Sequence, residues 1–193
     1  HKKINNSKKT SFYTPMSEEE TKNQIGEIFD REDYKKGRIK KGMTIIDCGA
    51  NIGLASLYFK DWAKEIYALE PSSQPYQALV ENTKPYSQIK TFNLGLANVE
   101  KEETLVSNDD GDIPFSFWGN GKITERVKVT TLDKFMEENK IEHVDLFKID
   151  TEGAEYVILP SQGFFNVAHK IDYIIGESHC IYTDRLIPDF IHL

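Results

Sequence analysis

Acidic side chains recur at the ends of short apolar runs in this chain, and a glycine-rich turn follows the first of them. Asp47 closes Thr44-Ile45-Ile46 and leads into Cys48-Gly49-Ala50-Asn51-Ile52-Gly53-Leu54, while Glu70 closes Ile66-Tyr67-Ala68-Leu69. A continuous β-branched apolar run reads as a strand buried on both faces. Gly49 and Gly53 then supply a turn where backbone must come close to another group. A helix starting near Gly53 would offer unpaired N–H groups and the positive end of its dipole, which is a seat for an anionic group. Glu70 stands about 20 residues beyond Gly49, the distance at which an acid on the second strand reaches a ribose diol. A dinucleotide fingerprint would read G-x-G-x-x-G, and here Ala50, Asn51 and Ile52 all separate the two glycines, which weakens a pyrophosphate reading. The pattern suits a nucleoside carrying a small anion. S-adenosylmethionine fits it, with its carboxylate at the helix start and its ribose on Glu70.

A second charged cluster follows Val144-Asp145-Leu146-Phe147-Lys148-Ile149-Asp150, where strand alternation puts Lys148 and Asp150 on one face. Thr151-Glu152-Gly153-Ala154-Glu155 continues into a turn and helix, and Ile174-Ile175-Gly176 ends in Glu177. Charges beside a buried sheet are costly unless paired or functional. Lys148 could simply neutralise Asp150. The functional alternative is that Asp150, Glu152 or Glu177 accepts the proton of a hydroxyl nucleophile. Asp150 ranks first because a strand fixes it. Asn93, at the end of the run Ile89–Leu94, could bond an adenine or form a turn. His179 reads as a solvated loop residue. No metal is expected: the histidines and cysteines are too few for zinc, and the acidic turn Asn108–Gly111 lacks the closing glutamate of a calcium loop.

The elements that would position these groups alternate along the chain. Strand patterns at 44–48, 65–70, 89–94, 144–150 and 171–177 are separated by helical patterns, which predicts an α/β, doubly wound and mostly parallel sheet. Residues 1–16 read as a mobile lead-in, and Ser17-Glu18-Glu19-Glu20 opens a helix that completes an N-terminal segment 1–40. The α/β domain proper is 41–193, with an antiparallel insertion at about 98–131. There Glu103–Val106 and Ile113–Trp118 flank an Asp-Gly turn, and Arg126–Val129 forms a further strand. Phe115, Phe117 and Trp118 would line a substrate site or form a small satellite core. The basic run Tyr34–Lys41 reads as a solvated face.

Composition narrows the partners. The 193 residues suit one domain with a real core, and a net charge of −7 argues against non-specific binding to nucleic acid or an anionic membrane. No apolar run is long enough to span a bilayer. Cys48 and Cys180 each close an apolar run and read as reduced thiols of a cytoplasmic protein. The expected partner is a small hydroxylated molecule. Nothing in the composition fixes an oligomeric state.

Taken together, Ile45–Gly53, Ala68-Leu69-Glu70-Pro71, Thr130-Thr131-Leu132-Asp133, Lys148–Glu155 and the Glu177 strand end resemble the FkbM-type methyltransferases across about residues 25–180. The resemblance implies a Rossmann-like class I fold and an S-adenosylmethionine-dependent enzyme acting on hydroxyl oxygens of sugars or polyketide-like metabolites. It also puts the cofactor residues on Asp47, Gly49, Asn51, Gly53 and Glu70, beside the independently read Asn93. Cys48 stands where the family commonly has an aliphatic residue. After the fifth strand such sheets add a helix and an antiparallel strand pair, and Asp184–Leu193 can supply only the helix, so the pair is expected to be missing. Two rivals remain: an NAD(P)-dependent reductase, with Tyr86 and Lys90 as its tyrosine and lysine, and a non-catalytic module that keeps the cofactor site.

Overall fold

The computed structural model describes residues 2–5, 11–30, 39–107 and 123–177. Its centre is five parallel strands: β3 (Met43–Cys48), β4 (Ala63–Leu69), β5 (Ile89–Phe92), β9 (Leu146–Ile149) and β10 (Ile174–Gly176). Two antiparallel strands at the N-terminus, β1 (Lys2–Asn5) and β2 (Ser11–Thr14), precede them. The central order is β10-β9-β3-β4-β5, so the direction of winding reverses between β3 and β9. A ligand crevice forms outside the carboxyl ends of the strands at such a switch point. Asp47, Glu70, Asp150 and Glu177 all lie at that edge of the sheet.

Burial on both faces explains the apolar strand sequences. Neighbouring side chains on a strand point to opposite faces. Ile45 accordingly packs with Phe59 of α2 (Leu54–Phe59) and Leu79 of α3 (Ser73–Thr83), whereas Ile46 packs with Phe135 of α4 (Leu132–Glu138) and with Phe147. The second face is completed by Ile158 of α5 (Glu155–Ile158) and Phe164 of α6 (Gln162–Phe165). Every residue of α2 is buried, so this helix carries no solvent face and no amphipathic pattern.

Among the first sixteen residues, the described ones, 2–5 and 11–16, differ from the expected mobile lead-in. β1 and β2 pair in register from Lys2–Thr14 to Asn5–Ser11, and Phe12, Thr14 and Met16 are buried. The period-two spacing of those three residues is the signal for a half-buried strand, which the surrounding basic and polar residues obscured. Asn82 of α3 fastens the hairpin to the domain: it accepts the Tyr13 N–H at 2.7 Å and donates to Tyr13 O and Ile52 O, both at 2.9 Å. Helix α1 (Glu18–Ile25) follows, capped by the Ser17 hydroxyl accepting from the Glu20 amide, and runs into a π-helical turn at Gly26–Asp30.

A separate sheet occupies the expected insertion: β6 (Gly95–Leu96), β7 (Lys101–Ser107) and β8 (Ile123–Thr130), in the order β6-β8-β7. The strand opposite β7 is β8, antiparallel from Lys101–Val129 to Ser107–Ile123. Ala97, Leu105, Val127 and Val129 form its own small core. Glu125 anchors this sheet to the domain, accepting from the Ser72 hydroxyl at 2.8 Å and the Ser73 amide at 2.9 Å at the first turn of α3. The expected partner strand Ile113–Trp118, the Asn108–Gly111 turn, most of the basic run after Tyr34, and His179, Cys180 and the Asp184–Leu193 helix lie outside the described residues. No described helix is long and apolar enough to cross a membrane.

Phe147 is wholly buried on the central strand β9. Phe147→Ala is expected to destabilise the protein by about 3–5 kcal/mol through lost transfer and cavity terms, a shift read from the urea unfolding midpoint.

Candidate functional site

The glycine turn after β3 is fixed from two sides. Gly49 has φ +76°, and a Cβ built there would lie 1.9 Å from the Asp150 carbonyl oxygen, so a residue with a side chain fits neither the conformation nor the space. The turn therefore rests directly on the tip of β9. Gly53, at φ +89°, meets Leu79 instead: a Cβ would sit 2.7 Å from that Cδ1. Gly53 thus serves the packing of α3 against the turn.

The amides of Gly49, Ala50, Asn51 and Gly53 have partners within the protein. Gly49 N–H and Ala50 N–H both donate to Leu69 O, at 3.0 and 2.9 Å, and Gly53 N–H donates to Ala50 O at 2.8 Å. Asn51, at φ 49°, donates its N–H to Glu70 Oε2 at 2.9 Å. The anion seat expected from this turn is consequently reduced to the first turn of the six-residue α2. Glu70 is the junction: its Oε1 accepts the Ser72 N–H at 2.9 Å, so one carboxyl ties the glycine turn to the loop after β4. Burial pushes the Glu70 carboxyl up to about 7, against the pull of the Ser72 and Asn51 amides.

A cavity of about 330 Å³ opens at this edge. Gly49, Asn51 and Glu70 line one part of it and Asp150, Glu152 and Glu177 another, so six of the nine residues singled out from the sequence converge on one hollow. Asp47, Gly53 and Asn93 are not in its wall. Asp47 is fully buried behind it, accepting from Ser56 Oγ at 2.6 Å and lying 3.1 Å from Lys148 Nζ. Asn93 donates its amide to Glu70 O at 3.0 Å and Pro71 O at 2.8 Å, a turn-forming contact.

Two features of the site are visible only in the structure. Glu20 and Gln24 of α1 and Glu27 and Ile28 of the π-helical turn also line the cavity. Their helical spacing is legible, but acids in a first turn read more simply as a dipole-matched helix start. Glu155 is the other. Its buried carboxylate accepts from the Thr151 and Gly153 amides and the Thr151 hydroxyl, clamping a turn in which Glu152 takes φ 53° and reaches the cavity.

The remaining candidates fall elsewhere. Lys90 donates to Glu65 at 2.9 Å and to the Tyr67 hydroxyl at 3.3 Å, while the Tyr86 ring faces Lys60; neither Lys90 nor Tyr86 lines the cavity, which removes the basis for a reductase pair. His143, Asp145 and Asp172 gather at the opposite end of β9 from Asp150, with Asp145 already bonded to the Thr44 amide and 3.1 Å from Lys40.

The Methyltransferase FkbM domain matches residues 47–192. The chain is 27% identical over 203 residues to the AMB antimetabolite synthetase AmbE of Pseudomonas aeruginosa, covering 83% of this chain and 10% of that protein. It is 27% identical over 183 residues to the methyltransferase sdnD of Sordaria araneosa, covering 76% of this chain and 71% of that one. Among solved structures, M. capricolum TrmK in complex with S-adenosyl-homocysteine is similar with a TM-score of 0.43 at 16% identity, over 80% of this chain and 49% of that chain. The precorrin-6y C5,15-methyltransferase of Geobacter metallireducens has a TM-score of 0.44 at 12% identity, over 86% and 66%.

The raised Glu70 carboxyl has a pH signature. A carboxyl whose native value lies above its ordinary 4.5 holds its proton more tightly when folded, so its stabilising contribution is whole below pH 4.5 and is lost as pH rises through about 7. Glu70→Gln, which cannot ionise, should therefore gain stability relative to wild type as thermal melts are taken from about pH 4.5 to about pH 8. A difference between the two melting temperatures that stays constant over that window would contradict the raised value.

Proposed function

The chain belongs to the FkbM family of S-adenosylmethionine-dependent methyltransferases, and from that premise we propose that it methylates a hydroxyl oxygen on a small molecule of the sugar or polyketide-like class. The observation that carries the reading is the Asn51 N–H to Glu70 bond, which holds a ribose-type acid against the glycine turn at the mouth of the cavity. Each Glu70 oxygen accepts one amide and keeps a second lone pair, so two hydroxyls of a diol match the capacity that remains. Asn51 Oδ1 is buried without a hydrogen-bond partner among the described residues and is a further acceptor available to a ligand. The cavity volume falls within the range of about 300–1,000 Å³ usual for small-molecule pockets. Glu70, Asn51 and the Gly49 turn would hold the cofactor, which supplies an electrophilic methyl group.

The protein's own share of the chemistry is alignment and proton removal. Asp150 is the first candidate to accept the acceptor's hydroxyl proton. Its backbone is set by the bond from its N–H to Cys48 O at 3.1 Å and by contact with Gly49. Glu152 and Glu177, in the same wall, would orient the acceptor or take the proton in its place. Gln24 and Glu27 face the hollow from the N-terminal segment and would meet the part of the acceptor that is not methylated. We assign the protein to the reducing cytoplasm, in keeping with the buried free thiol of Cys48.

Two measurements decide the proposal. Titration calorimetry should register binding of S-adenosylhomocysteine and none of NADH. Transfer of a labelled methyl group to a panel of hydroxylated sugars and polyketide-like compounds should then identify an acceptor class. With that acceptor, Asp150→Asn is expected to lower kcat by about 10²–10⁴-fold, the usual share of a positioned base, with little change in S-adenosylhomocysteine affinity. Full turnover by Asp150→Asn would remove Asp150 as the base, and cofactor binding without transfer to any acceptor would mark a non-catalytic module.

A further inference from the structure

Lys148 stands on β9 directly across from Asp47 on β3, in a strand pair whose other facing positions are apolar. Its side chain is 3% exposed. The ammonium donates to Gly49 O at 2.8 Å, lies 3.1 Å from Asp47 Oδ1, and is 3.8 Å from Asp150 Oδ2. Behind it, Asp47 is held by the Ser56 hydroxyl of α2. A line of polar contacts therefore runs from α2 through Asp47 and Lys148 to the carbonyl of the residue that begins the glycine turn.

We propose that Lys148 is a positioning residue that fixes the Gly49 turn in the shape that receives the cofactor. The inference rests on the reading of the cavity as a cofactor site. Charge balance alone does not account for the residue, because a buried ion pair between central strands is commonly matched or bettered in stability by apolar side chains of similar volume. What an apolar pair cannot do is hold a carbonyl. Gly49 sits at φ +76°, a conformation open to neighbouring alternatives for a glycine, and its carbonyl takes its direction from the Lys148 hydrogen bond. Lys148 itself reaches the cavity wall, but its two nearest oxygens are Gly49 O at 2.8 Å and Asp47 Oδ1 at 3.1 Å, so its contacts brace the turn from behind while Glu70 and Asn51 offer acceptors to a ligand. The same ammonium lies beside Asp150, which makes one side chain the common support of the cofactor turn and the leading candidate base.

Removing Lys148 alone would leave Asp47 buried and unpaired and could unfold the protein, so the test neutralises both. In the Asp47→Asn/Lys148→Met variant, the melting temperature should stay near that of wild type while the Kd for S-adenosylhomocysteine, measured by calorimetry, rises at least tenfold. A merely structural pair would leave that Kd unchanged once stability is restored. Wild-type affinity in a folded double variant overturns the assignment and leaves the cofactor site intact. Failure of the wild-type protein itself to bind S-adenosylhomocysteine overturns the cofactor reading, and this inference with it. If the methionine variant does not fold, Asp47→Asn/Lys148→Gln, whose shorter side chain cannot reach Gly49 O, is read against the same two outcomes.

Discussion

The absence of a side chain at Gly49 is the constraint on which the site depends. A Cβ there would stand 1.9 Å from the Asp150 carbonyl oxygen, so β3 and β9 can end side by side only if the first residue of the turn is glycine. That contact puts the turn that faces Glu70 and the strand tip that carries Asp150 in one wall. A pocket built on adjacent central strands inherits the rigidity of the sheet, because both strand ends are hydrogen-bonded on either side: Gly49 and Ala50 to Leu69, and Asp150 to Cys48. Positioning by backbone ladders suits a reaction whose barrier is lowered mainly by alignment.

Charge is the cost of that arrangement. Asp47, Glu70, Lys148 and Glu155 are all buried, and each burial must be offset by donors or a counter-charge. The offsets are local and differ in kind. Asp47 and Lys148 face each other; Glu155 collects two amides and a hydroxyl; Glu70 has two amides, and burial pushes its carboxyl up to about 7. Glu70 is thus a buried charge with acceptor capacity left for a ligand. Hydroxyl donors arriving at Glu70 would favour its ionised form, coupling ligand binding to proton release.

The parallel sheet was legible mainly from β3, β4 and β9, whose buried residues announce themselves as apolar runs closed by an acid. The Asp47, Glu70, Asp150 and Glu177 ends all came from that one rule. Asn93 shows its limit: position at a strand end does not say whether an amide points at a ligand or back at its own loop, and here it braces Glu70 O and Pro71 O. Lys148 shows another limit. Alternation put it on the face of Asp150, but its closer partners, Asp47 and Gly49 O, come from a strand about a hundred residues away, and no local pattern carries that register. The N-terminal hairpin adds a third limit, since Phe12 packs with Phe29 and Met16 meets Asn51, partners that no local pattern names.

The carboxyl edge of a parallel sheet is open by construction, and a reaction that must exclude water needs further walls. This chain supplies them from segments outside the strand-helix alternation: Gln24 and Glu27 from the N-terminal helical stretch, and Leu105 from the added sheet, which Glu125 pins to α3. Neither wall shares the ladder that fixes Gly49, Glu70 and Asp150. On the proposed reading, the core would keep its cofactor geometry while the walls change size and polarity, and what an acceptor meets beyond the reacting atoms would be set by appended elements rather than by the sheet.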